Sequence, residues 1–155
     1  MLALQAVLET PVRDQWLVAD GGCDPGVFAA LAVADPDAPG ELHVPGRLRL
    51  TDTTTGIVVM LECWLGLKDW RDWAELLSGT ASEPVDRIDD LGGHLLVWAG
   101  KRAGPCVRVP RAAVPGLLRG VRADLLALVA VLAHSHGAAF AARADRALAA
   151  GAPLH

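Results

Sequence analysis

Glu62 is the side chain in this sequence best suited to general acid–base chemistry. It lies between Met60 and Trp64 in an apolar run that predicts a buried strand. Burial of a carboxyl group favours its protonated form and raises its pKa toward the neutral range that proton transfer needs. The alternative is that Glu62 forms an ion pair with Arg47 of a neighbouring strand, on a face that water reaches. Glu62 is therefore our candidate catalytic residue, with the ion pair as the competing interpretation.

The candidate binding residues are two tryptophans and two arginines. Trp64 and Trp98 end or interrupt strand patterns, where an indole can border a pocket or an interface. Arg47 and Arg49 alternate with leucines on the strand before Glu62 and so share one of its faces. Together these residues predict either a protein contact or a pocket for a small apolar ligand.

Neither the histidines nor the cysteines are spaced for a metal site. His134 and His136 fall in a predicted helix, where residues two apart point about 200° away from each other. Cys23, Cys63 and Cys106 include no Cys-x-x-Cys pair. We expect no bound metal.

A glycine turn precedes a predicted helix near residue 25. Its glycines, Gly21, Gly22 and Gly26, do not match the spacing of a dinucleotide-binding or phosphate-binding loop. A tight turn before a capped helix from Pro25 to Ala34 explains them better. The sequence predicts no cofactor.

Two strands joined by a turn must position Glu62. The segment Asp-Thr-Thr-Thr-Gly at residues 52–56 has the composition of a hairpin turn. If Asp52 pairs with Ile57, Arg47 lies opposite Glu62 and Arg49 lies opposite Met60. Because the second strand is apolar on both faces except at Glu62, we expect it to be central in its sheet.

The remaining pattern predicts an α+β fold with residues 1–155 as a single domain. We expect a mostly antiparallel sheet of five or six strands, helices packed on one of its faces, and a long C-terminal helix pair. Residues 80–93 form an acidic loop in this interpretation. The predicted segments are strands at 2–9 and 15–19, the hairpin around residues 52–56, a helix after residue 69, a second hairpin at 94–110, and helices at 115–137 and 138–149.

Charge and hydropathy exclude two classes of protein. A formal net charge of −4 argues against nucleic-acid binding, which needs clustered lysines and arginines. The uncharged window Leu125–Ala142 contains His134 and a helix-breaking Gly137 at its centre, so we expect no membrane span. The N-terminus lacks the basic, apolar pattern of a signal peptide, which predicts a cytoplasmic protein. The preference for arginine over lysine suggests a bacterial source.

Three functions fit these observations. The first is a small bacterial protein-binding module, of the immunity or accessory type, without catalysis of its own. The second is a cofactor-independent enzyme resembling a cyclase or isomerase, or a ligand carrier, with an apolar pocket around Glu62, Trp64 and Trp98. The third is self-association as a homodimer, because the predicted helix is apolar on every face between Leu125 and Ala133. We favour the first.

Overall fold

Antiparallel strands with one helix between them occupy the described chain up to Pro110, and two helices follow. The structure is a computed structural model that describes residues 1–9, 16–25, 42–63, 65–80, 87–100 and 103–151. Within these ranges the strands are β1 (Leu2–Glu9), β2 (Trp16–Val18), β3 (Gly46–Asp52), β4 (Ile57–Glu62), β5 (Ile88–Asp90), β6 (His94–Trp98) and β7 (Cys106–Pro110). The helices are α1 (Trp70–Ser78), α2 (Val114–His136) and α3 (Ala138–Leu148). The α+β class and the long C-terminal helix pair are confirmed.

The first sheet has the strand order β2-β1-β3-β4, and every pairing in it is antiparallel. Between β3 and β4, Asp52 pairs with Ile57 and Arg47 pairs with Glu62, so the predicted register is confirmed. This register turns Leu48 and Leu50 toward the core, where they are almost fully buried. It also directs the arginines and Glu62 to the opposite face, which we call the outer face.

The prediction that β4 is a central strand is wrong. β4 lies at the edge of its sheet, and Val58 on its outer face is 45% exposed. The free edge is partly satisfied by Arg87, whose Nη2 donates a hydrogen bond to the Met60 carbonyl oxygen at 2.8 Å. One face of β4 is buried in the core, with Val59 and Leu61 at 0% exposure, while its outer face is apolar but partly exposed, so the apolar pattern does not mark a central strand.

A second antiparallel sheet has the strand order β5-β6-β7. The strands thus form two sheets of four and three strands in the described part of the chain, where we predicted one sheet of five or six. β5 lies inside the segment predicted as an acidic loop. Only Ile88 of its three residues is apolar, so its own sequence does not predict a strand, and its pairing with β6 supplies the missing stabilisation.

Helix α1 packs its aromatic stripe into the core. Trp70, Trp73, Ala74 and Leu77 are all buried, as their helical spacing predicts. Gly79 ends the helix in the left-handed conformation at φ 76°. A 3-10 turn (Leu67–Asp69) leads into α1 from the end of β4, so the helix begins close to Glu62.

Helix α2 contacts both β1 and α3. Its core-facing residues repeat with helical spacing and are buried: Val114, Leu118, Val121, Leu125, Leu128 and Leu132. The opposite face is largely exposed: Leu126 is 42% exposed, and Ala123, Ala127, Ala130 and Ala133 are also exposed, with the turn at Gly21 close to Ala127. Gly137, at φ 87°, separates α2 from α3.

The end of α3 is held by side chains from the other two helices. Trp70 Nε1 donates to the Leu148 carbonyl oxygen at 2.6 Å, and Arg71 Nη1 donates to the Ala149 oxygen at 3.0 Å. From α2, Arg122 Nε donates to the Ala150 oxygen at 2.9 Å. These carbonyls have no partner within the helix itself, so the three donors provide the hydrogen bonds that the helix end lacks.

Some predictions lie in part or wholly beyond what the structure describes. The predicted helix from Pro25 to Ala34 falls outside the described residues except for Pro25, and Trp64 falls outside them as well. None of the helices in the described ranges has the length and hydrophobicity needed to cross a lipid bilayer.

Candidate functional site

A row of side chains crosses the outer face of the first sheet at one end. Val7 of β1 pairs with Arg47 of β3, which in turn pairs with Glu62 of β4. Arg47 Nη1 lies 3.9 Å from Glu62 Oε1, and the two side chains are 35% and 48% exposed. Of the two interpretations of Glu62, the geometry matches the ion pair on a face that water reaches.

Trp16 joins this row, and the sequence did not single it out. Its antiparallel pairing with Glu9 places it on the same outer face, and the Arg47 guanidinium carbon lies 5.0 Å from the centre of its ring. This is the geometry of a cation–π contact. Among the described residues, the indole stacked on Arg47 is therefore that of Trp16. Only the pairing of β2 with β1, which a single sequence does not encode locally, reveals it.

The other candidate binding residues lie away from this row. Arg49 Nη2 donates to Gln5 Oε1 at 2.8 Å, one row further along the same face. Trp98 is on the second sheet, where its Nε1 donates to Asp89 Oδ2 at 2.9 Å. Trp98 is not among the described residues that line the cleft at Glu62. The structure thus brings Arg47 and Glu62 together, but not Arg49 or Trp98.

The cleft opens where β1 and β4 end and β3 begins. It has a volume of about 270 Å³ and is lined by Glu9, His43, Pro45, Gly46, Arg47, Glu62, Cys63 and Gly66. We call it the charged cleft. Among these described residues, the charged side chains are two carboxylates and one guanidinium, and Glu9, His43 and Glu62 are exposed.

Two glycines give the cleft its shape. At Gly46 a Cβ would collide with the Val7 carbonyl oxygen and with the Leu67 side chain. Gly66 has φ 88°, and a Cβ there would lie 2.6 Å from the Val44 carbonyl oxygen. Only glycine meets both demands, because it has no side chain and adopts positive φ at little cost. Close packing beside the cleft therefore requires glycine at both positions.

The thiols near the cleft and elsewhere are poor nucleophiles. Burial, followed by the charge of Asp69, raises the pKa of Cys63 to about 12. Burial and the charge of Asp20 raise the pKa of Cys23 to about 11. Because the thiolate is the reactive form, both groups are almost entirely unreactive thiols at neutral pH.

Hydrogen bonds from the core fix the backbone beside the cleft. Trp73 Nε1 of α1 donates to the Glu62 carbonyl oxygen at 2.7 Å. Arg87 lies next to it and joins the two sheets, because it donates to Met60 of β4 and through Nε to the Trp98 carbonyl oxygen at 3.0 Å. Burial lowers the pKa of Arg87. The sequence pattern missed this arginine because it lies in the segment interpreted as a loop.

A second cavity adjoins the first at His43. It has a volume of about 210 Å³ and is lined by Leu42, His43, Val44, Leu65, Lys68 and Ala147. Four of these six residues are apolar, and Leu65 is 63% exposed. We call it the leucine cleft. The two clefts share His43 as a lining residue.

Neither metal-ligand geometry nor comparison with known proteins assigns a function to the site. Within the described ranges, no three His, Cys, Asp or Glu side chains lie close enough together to hold a metal ion. The sequence matches no protein-family model, and comparisons with curated proteins and with solved structures gave no match.

Proposed function

We propose that this chain is a small protein-binding module of the immunity or accessory type, acting in the bacterial cytoplasm without catalysis of its own. The observation that carries the proposal is the open, half-exposed state of the charged cleft. The Arg47–Glu62 ion pair of the cleft lies at the surface, where a partner can reach both charges.

The geometry favours binding over the alternative of an enzyme or ligand carrier. A carboxyl group tuned for proton transfer is usually withdrawn from water, whereas the Glu62 side chain is 48% exposed. The Cys63 thiol beside it is held protonated by burial. Ligand sites for small molecules are mostly apolar and enclosed, whereas the charged cleft is polar and open.

To test the proposal, a partner is first isolated on the immobilised protein, then identified and purified. Its binding to the protein is measured by calorimetric titration. We expect Arg47→Ala and Glu62→Ala each to weaken the complex about tenfold, as central interface residues do. Arg108→Ala is the matched control, since this exposed arginine lies on the second sheet, away from the cleft. Equal affinities for all three variants would refute the proposal.

We also propose that the exposed face of α2 around Leu126 forms a homodimer contact. Support comes from the exposed Leu126 at 42% and from the exposed alanines on either side of it, which carry no charge. Small side chains let two helices approach closely, and burying apolar surface away from water stabilises the contact.

Light scattering after size exclusion tests the dimer. We expect the wild-type chain and the control Leu91→Glu to be dimeric, and Leu126→Glu to be monomeric. Leu91 is a suitable control because it is 54% exposed in the turn between β5 and β6. A monomeric wild type, or a dimeric Leu126→Glu variant, would contradict the assignment.

A further inference from the structure

We draw no further inference here: the strongest candidate, the cleft between the end of α1 and the N-terminal part of α2 that is lined by Ser78, Pro115, Leu118, Arg119 and Arg122, carries none, because the Arg122 guanidinium already donates to the Ala150 carbonyl oxygen and nothing in the structure shows what covers the cleft.

Discussion

The cysteines show how burial changes the chemistry of a single residue. Cys63 and Cys23 have pKa values raised to about 12 and about 11 from the ordinary 9.0, mainly because each thiolate would lose water. Since folding favours the protonated thiol, the unfolded chain binds fewer protons above pH 9. The contribution of these thiols to stability is therefore complete below pH 9 and is lost as the pH rises toward 11 and 12.

The expected result is that the urea midpoint of the wild type falls between pH 9 and pH 11 more steeply than that of Cys63→Ala. The chain contains no tyrosine, so no phenol titrates in this window. Equilibrium unfolding at several pH values, followed by tryptophan fluorescence, provides the comparison. If the urea midpoints of the two proteins fall in parallel with pH, the Cys63 thiol titrates alike in the folded and unfolded states.

Gly46 is a second residue whose substitution is expected to change the stability of the protein. A Cβ at this position would strike the backbone of β1 as well as Leu67. We expect Gly46→Ala to lower the free energy of unfolding by about 2 kcal/mol, because backbone cannot move aside as a flexible side chain can. Gly93→Ala is the control, since its Cβ would meet nothing within 4 Å. Thermal unfolding of both variants decides the matter.

Among the elements, those with strong local patterns could be predicted from the sequence. The β3–β4 register follows from alternation and a turn, and α1 follows from the spacing of Trp70 and Trp73. The short strands β2 and β5 are stabilised mainly by pairing with distant partners, so their neighbours could not be inferred from local sequence. For the same reason the ion pair Arg47–Glu62 was predictable, while the contact with Trp16 was not.

The anchoring of α3 gives a prediction about elements. Trp70→Phe removes the donor to the buried Leu148 carbonyl and should destabilise the protein by about 2 kcal/mol. Trp98→Phe is the control, because its half-buried hydrogen bond to Asp89 can be replaced by water. Denaturant unfolding of the two variants should differ clearly, and equal losses would count against the anchoring role of Trp70.

In the whole molecule, Arg87 links the two sheets. Its guanidinium donates to Met60 in the first sheet and to Trp98 in the second, and it lies 5.9 Å from the Trp73 ring. β4 and β7 also approach each other, and one hydrophobic core includes residues from both sheets and all three helices. In the described part of the chain the two sheets share no ladder of hydrogen bonds, and Arg87 therefore provides hydrogen bonds that connect them.

Replacing Arg87 by methionine keeps the length of the side chain but leaves two carbonyls without their donor. We expect a loss of about 2 kcal/mol in unfolding free energy. Arg108→Met, at an exposed position of β7, should change it by less than about 0.5 kcal/mol. Hydrogen exchange of the β4 and β6 amides would show whether the Arg87 variant loosens both sheets, and protection unchanged in both would contradict the linking role.

The contact between β1 and α2 also bears on how the chain folds during synthesis. β1 is translated first, yet the helix that covers its apolar side begins about a hundred residues later. Until α2 leaves the ribosome, the apolar side of β1 that it covers remains exposed to solvent. Stable folding of the first sheet is therefore delayed until α2 has been translated, and a chain stalled before residue 114 is expected to bind chaperones that hold unfolded polypeptides.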